Sequence, residues 1–240
     1  MIRIGIFDSG MGGLSVLKQI DQDYENIHFI YYGDLANSPY GQKSREDVTG
    51  FSVQAVSFLA AKNVDAVIIA CNTATSASIE EIRARFSFPV IGMEPAIKLA
   101  AEKHPGEMIA VLATSLTLKE DKYLHLREKL NLEEHVLPVP CDGLASLIDK
   151  PDLDSARDFL SDKMRNVRET GIAVLGCTHY VFLKDYIRGM NYTVYDGNEG
   201  TARRAASLLG LSRGSGKNTI ELYFNSNDEK CHETAKGYLQ

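Results

Sequence analysis

The chain has 240 residues, of which 44% are hydrophobic and 24% charged, and its net charge is −6. This is ordinary globular composition, long enough for one large domain or two of roughly 100 residues, and the acidic balance argues against nucleic acid as the main partner. No apolar run reaches the roughly 18 residues of a membrane span and no signal-peptide pattern opens the chain, so a cytoplasmic protein with no membrane partner is expected.

Strand-like runs alternate with segments of helical period. Strand 2–7 ends at Asp8, ahead of the glycine-rich turn Ser9-Gly10-Met11-Gly12-Gly13-Leu14. Strand 28–32 leads through Gly33-Asp34 to the loop Ser38-Pro39-Tyr40-Gly41, and helix 46–61 follows. Strand 66–70 runs into Cys71-Asn72-Thr73, then come helix 76–85 and strand 90–93. Beyond Glu94-Pro95 lie strand 109–113 ending at Thr114, helix 117–130, strand 136–139, helix 155–169 and strand 172–175, which runs into Gly176-Cys177-Thr178-His179. Strand 193–195 ends at Asp196, and a polar linker 212–218, strand 220–224 and an amphipathic helix 229–239 complete the chain. Near-continuous Val/Ile/Ala/Leu strands in βαβ order predict an α/β fold of parallel sheets covered by helices. Tyr31, Tyr32, Phe51 and Phe58 are read as core.

A repeat organises this order. Cys71 and Cys177 end matching runs 106 residues apart, Asp8 and Thr114 align at the same offset, and residues 29–31 align more weakly with 135–137. Three matches in one register predict two similarly built, pseudo-symmetric halves. The expected domains are 1–94 plus 203–240, with the tail returning to the N-terminal half, and 95–202. Such a pair holds its site in the cleft between the halves, at the carboxyl ends of the strands, where Cys71 and Cys177 would face one another.

The four cysteines, at 71, 141, 177 and 231, lack the close spacing of a zinc ribbon and are too sparse for a disulfide scaffold, so they are read as reduced thiols. A free thiol near pKa 8.5 is only about 3% thiolate at pH 7, and a following helix N-terminus is expected to lower that pKa. His179 stands two residues from Cys177, where it can orient or accept a proton. The turn after Asp8 lets backbone N–H groups approach an anion, though it is neither a dinucleotide fingerprint nor a P-loop. Cys141 and Cys231 have no partner across the repeat and are read as structural.

Taken together, Asp8-Ser9-Gly10-x-Gly12-Gly13-Leu14, Tyr32-Gly33-Asp34, Ser38-Pro39-Tyr40-Gly41, Ala70-Cys71-Asn72-Thr73-Ala74 and Gly176-Cys177-Thr178-His179-Tyr180 resemble the glutamate racemases of the cofactor-independent aspartate/glutamate racemase superfamily, from end to end of the chain. The resemblance implies two α/β domains related by a pseudo-twofold axis, with glutamate between them. It implies no pyridoxal phosphate, metal or nucleotide, a homodimer, and production of D-glutamate for peptidoglycan. It makes Cys71 and Cys177 the acid/base pair, assisted by Asp8 and His179 respectively. Asp8, Ser9, Tyr40, Gly41, Asn72, Thr73, Thr114, Thr117, Thr178 and His179 would hold the amino acid. Where many members carry a glutamate after the sixth strand, this chain reads Val139-Pro140-Cys141-Asp142-Gly143, and Asp142 is the candidate substitute. Val181 and Gly197 stand where proline and serine are common.

Racemisation needs two bases flanking one carbon, one deprotonated while the other is protonated, which two facing thiols supply. Three alternatives stay open: a sister enzyme acting on aspartate, a hydantoin or another small acid; a zinc protein using Cys71, Cys177 and His179; and a binding module without catalysis.

Overall fold

A computed structural model describes residues 1–150, 152–167, 170–214, 216–226 and 230–239. Its elements begin with β1 (Ile2–Asp8), α1 (Leu14–Asp23), β2 (Ile27–Gly33), α2 (Arg45–Ala61), β3 (Ala66–Ile69), α3 (Asn72–Arg85), β4 (Val90–Gly92) and α4 (Ala96–Lys103). They continue with β5 (Ile109–Ala113), α5 (Ser115–Lys119), α6 (Asp121–Lys129), β6 (Val136–Pro140), α7 (Leu144–Ile148), α8 (Asp154–Arg165) and β7 (Ile172–Leu175). The last are α9 (Lys184–Gly189), β8 (Thr193–Asp196), α10 (Asn198–Leu209), β9 (Thr219–Phe224) and α11 (Cys231–Leu239).

The strands form two sheets of order β4-β3-β1-β2-β9 and β6-β5-β7-β8, and every pairing within them is parallel. Continuous apolar sequence has its reason in two-sided burial. On the first sheet, α1, α10 and α11 cover one face with Leu17, Ala205 and Ala235, while α2 and α3 cover the other with Val56, Leu59 and Ile82. On the second, α7, α8 and α9 pack Ile148, Leu160 and Ile187 against one face, and α4 and α6 pack Ile97 and Tyr123 against the other. β9 returns to the first sheet beside β2. α10 crosses residue 203 as a single helix and buries Ala202 and Ala205 in the core beneath α1.

Read from β4 and from β8, the two sheets share one strand order, β4-β3-β1-β2 and β8-β7-β5-β6. The ladders correct the common offset, however. Phe7 stands between Tyr32 and Ile69, and Leu112 stands between Val139 and Leu175. Only the cysteine-bearing strands therefore keep the 106-residue offset; β1 and β5 are related by 105 residues and β2 and β6 by 107. By this register the counterpart of Asp8 is Ala113, not Thr114, so the halves differ chemically at the point where the repeat places a carboxylate.

Helix boundaries differ from expectation for identifiable reasons. α3 starts at Asn72, four residues early, because the Cys71 sulfur caps it by accepting from the Ala74 N–H at 3.4 Å. The expected helix 117–130 is two, broken at Glu120, whose extended backbone (φ −67°, ψ 138°) lets its buried carboxylate meet Arg45 of α2 at 3.5 Å. α8 stops at Arg165; Glu169 of the expected helix 155–169 lies outside the described residues, as do Glu229 before α11 and Ser215 of the linker. That linker is tethered, with Asn218 Nδ2 donating to the Tyr24 carbonyl at 2.8 Å and to Asp21 Oδ1 at 2.9 Å.

Candidate active site

The carboxyl ends of the two sheets face each other across a narrow cleft with about 450 Å³ of space between its lining atoms. Of the residues expected to hold a substrate, Ser9, Tyr40, Gly41, Asn72, Thr73, Thr114, Thr178 and His179 line it, as do the two cysteines expected as the acid/base pair, Cys71 and Cys177. Asp8 lies just beneath, fully buried. Thr117 does not line the cleft, but joins it through its hydroxyl: Oγ1 atoms of Thr73, Thr114 and Thr117 lie 3.1, 3.2 and 3.0 Å apart in a buried triangle that bridges the halves.

On the first side, Cys71 ends β3 and its thiol donates to Ser9 Oγ at 3.5 Å. Asp8 Oδ1 accepts from the Gly10 N–H at 2.7 Å, and Oδ2 accepts from the Thr178 hydroxyl of the other half at 3.1 Å. The expectation that a helix N-terminus lowers the Cys71 pKa is not met. Burial pushes the thiol up to about 12, the Asp8 charge adds to this, and the Ala74 N–H and Ser9 hydroxyl offset only part. Burial likewise raises the Asp8 carboxyl, against the opposing pull of His179 and the Gly10 N–H.

On the second side, Cys177 is half-buried at the end of β7 and its sulfur lies 3.9 Å from His179 Nδ1. His179 Nε2 accepts from the Gly12 N–H at 3.2 Å, so a neutral ring carries its proton on Nδ1, toward Cys177. Asp149, at the C-terminal end of α7, places Oδ1 3.3 Å from Nε2, where it has no hydrogen-bond partner among the described residues. Burial pulls the His179 pKa down, but Asp149, the Cys177 thiol and Asp8 outweigh this and leave it well above the usual 6.5. The carboxylate paired with His179 is thus Asp149. Asp142, the expected substitute, lines the cleft but turns its oxygens to Ser115, accepting from the backbone N–H at 2.9 Å and from the hydroxyl.

Close backbone approach holds the halves together. A Cβ on Gly12 would stand 2.3 Å from His179 Nδ1, and one on Gly41 would stand 2.5 Å from Thr114 Cγ2. Tyr40 is fixed by donating its hydroxyl to Asp34 Oδ2 at 2.5 Å, and Tyr180 by donating to the Cys141 carbonyl at 2.8 Å. Cys141 is itself fully buried, its thiol donating to the Val139 carbonyl, and burial pushes it up to about 12. Cys231 is buried in the α11 core and has no part in the cleft.

The sequence pattern described as Asp/Glu/Hydantoin racemase matches residues 5–205. The chain belongs to the Asp/Glu/hydantoin racemase family. Within this racemase family, glutamate racemase of Leptospira interrogans serogroup Icterohaemorrhagiae serovar copenhageni is 45% identical over 216 residues, 88% of this chain and 84% of the relative. The crystal structure of glutamate racemase from Campylobacter jejuni subsp. jejuni matches the fold with a TM-score of 0.87 at 25% identity, covering 99% of this chain and 98% of that one. Glutamate racemase from Francisella tularensis subsp. tularensis SCHU S4, solved in complex with D-glutamate, matches with a TM-score of 0.84 at 27% identity, covering all of this chain and 94% of that one. Among the described residues, no helix is long and apolar enough to cross a membrane.

Proposed function

We propose that the chain interconverts L-glutamate and D-glutamate without a cofactor, using Cys71 and Cys177 as a two-thiol acid/base pair. The observation that carries this reading is the placement of the two cysteines at the ends of equivalent strands, β3 and β7, on one cleft, each beside its own proton-handling group. The glutamate racemases among the relatives and solved structures favour glutamate over aspartate.

In this mechanism the substrate's α-carbon sits between the sulfurs. One thiolate removes the α-proton while the opposite thiol delivers a proton to the other face, and the reverse reaction exchanges the roles. Thiolate formation on Cys71 is opposed by burial and by Asp8, so the substrate's α-ammonium, drawn in beside that carboxylate, supplies the positive charge that favours it. On the other side His179 holds a proton at Nδ1, 3.9 Å from the Cys177 sulfur, and donates it as a hydrogen bond to the thiolate left once the Cys177 thiol has given its own proton to the α-carbon, while Asp149 beside Nε2 favours the protonated ring. Thr73, Thr114 and Thr117 with the first-turn amides of α3 offer donors to the carboxylates, and Ser9, Tyr40, Gly41, Asn72 and Thr178 complete the grip. The product's use in peptidoglycan synthesis, a cytoplasmic location, a homodimeric state and a domain division at 1–94 plus 203–240 against 95–202 belong to the same proposal.

The test is α-proton exchange in D₂O with each enantiomer supplied separately, no cofactor added, in wild type, Cys71→Ala and Cys177→Ala. Deuterium uptake with loss of optical activity in wild type, and loss of racemisation in both variants, is expected. Racemisation surviving in either single variant would sink the two-thiol reading, and exchange with aspartate but not glutamate would reassign the substrate.

A further inference from the structure

Behind the cleft lies a second cavity of about 630 Å³, open mouth included, which shares Asn72 and Thr117 with the substrate side. It exists because α4 and α6 leave the C-terminal ends of β5 and β7 incompletely covered and α3 of the other half closes the gap. Its walls are largely apolar: Ile97, Val111, Leu126 and Val174 among them, with Met93 at the crossing between the halves. A few directed polar groups in an apolar wall are the usual form of a small-molecule site.

One polar group here is unexplained by the fold. Tyr123 lines the cavity, is 9% exposed, and its buried hydroxyl has no hydrogen-bond partner among the described residues. Buried hydroxyls are ordinarily paired, so this one marks a place where a partner is missing. Lys122 also lines the cavity, and the charges acting on it, Arg83 against Glu80 and Glu94, make a group of two cations and two anions. That balance favours an uncharged guest over an anion or a cation.

We propose that this cavity is a second ligand site, taking a compact, uncharged, apolar molecule with one carbonyl oxygen, which accepts from the Tyr123 hydroxyl while the body packs against Val111, Leu126 and Val174. Thr117 connects it to catalysis, because that residue borders the cavity and also completes the hydroxyl triangle of the cleft. A guest that shifts Thr117 changes turnover without occupying the glutamate position. This consequence rests on the racemase reading; the binding itself does not.

Acetophenone is the probe, with ethylbenzene as the same body lacking the acceptor. Methyl spectra of the full chain, labelled at Ile, Leu and Val, should show saturable shifts of Ile97, Val111, Leu126 and Val174 with acetophenone, undisturbed by saturating D-glutamate. Tyr123→Phe should weaken acetophenone about fivefold and leave ethylbenzene unchanged, the value of one hydrogen bond. Leu126→Trp, which fills the space, should abolish the shifts. In wild type, acetophenone should lower kcat with KM unchanged. The proposal is overturned if the methyls stay still up to the solubility limit, if Tyr123→Phe binds acetophenone as wild type does, or if D-glutamate displaces it. Failure of the racemase reading is separate, since it shows as absent proton exchange before any acetophenone is added.

Discussion

Gly12→Ala probes the seam between the halves at its tightest point. An alanine Cβ would stand 2.3 Å from His179 Nδ1, 2.6 Å from the His179 backbone nitrogen and 2.6 Å from Thr178 Oγ1, where ordinary contacts begin at 3.4 Å. The imidazole can swing aside, but the backbone nitrogen cannot, so the turn carrying Gly12 and the chain at His179 have to separate by close to the shortfall, about 1 Å. The Gly12 N–H bond to His179 Nε2, 3.2 Å long, then opens as well. A misplacement of about 1 Å at a reacting centre costs on the order of a hundredfold in rate, and overpacking a tight contact costs about 1–3 kcal/mol of stability. The assay is kcat/KM for D-glutamate by loss of optical activity, with thermal melts alongside. Gly50→Ala serves as the control: it lies inside α2 with nothing within 4 Å of the added Cβ, and should leave activity intact while gaining up to about 1 kcal/mol from helix propensity. A Gly12→Ala protein with kcat/KM within about threefold of wild type and an unmoved melting temperature would refute the argument that the halves meet without slack there.

Three further outcomes are expected. Asp149→Asn removes the charge that holds the His179 pKa up; because a raised histidine pKa stabilises fully below about 6.5 and loses that contribution as pH climbs through the folded value, wild type should lose stability on the alkaline side of that window while the variant's melting temperature stays flatter, and parallel curves would sink the assignment. With its thiol pushed up to about 12, Cys71 should contribute no thiolate absorbance below about pH 10 in the empty protein, read as wild type minus Cys71→Ala; a step near pH 8 would contradict the burial argument. Thr114→Val deletes one corner of the hydroxyl triangle at nearly constant shape, and should raise KM for glutamate roughly five- to tenfold with a folded protein; an unchanged KM would place the carboxylate elsewhere.

The nine expected strands were readable to within a residue among the described residues because most are short apolar runs bounded by turn residues, and those buried on both faces, such as β3, β5 and β7, leave little else for such sequence to become. Cys71 and Cys177 were readable for the same reason: they mark where those strands stop. Asp149 was not, because it sits at the end of α7, 28 residues before Cys177 and 30 before His179, and only the docking of that helix beside the His179 turn brings it to the ring. Asp142 drew attention by standing just after β6, where many members of the resembled family carry a glutamate, yet its carboxylate faces Ser115. The single-register repeat misled for a related reason: sequence matching tolerates a one-residue slip in Val/Ile/Leu runs that hydrogen-bonded ladders do not. The break at Glu120 left no proline or glycine as a signal, since it answers to Arg45 on another element. Nor could local sequence reveal that burial outweighs the helix terminus at Cys71, a balance set by how tightly the cleft closes.

The return of β9 to the first sheet bears on how the molecule is made. β2 is the neighbour of β9, so until Thr219–Phe224 arrives, Ile27, Phe29 and Tyr31 belong to a strand with a bare edge. Every other strand of both sheets leaves the ribosome earlier, and the second sheet finds all its partners within Ile109–Asp196 while the first still waits for its last one. An unpaired edge is a template for any other strand, including that of a sibling chain at the same stage. Synthesis interrupted before β9 therefore leaves β2, with Ile27, Phe29 and Tyr31, at the sheet's edge, a place that β9 with its Glu221 takes once it has arrived.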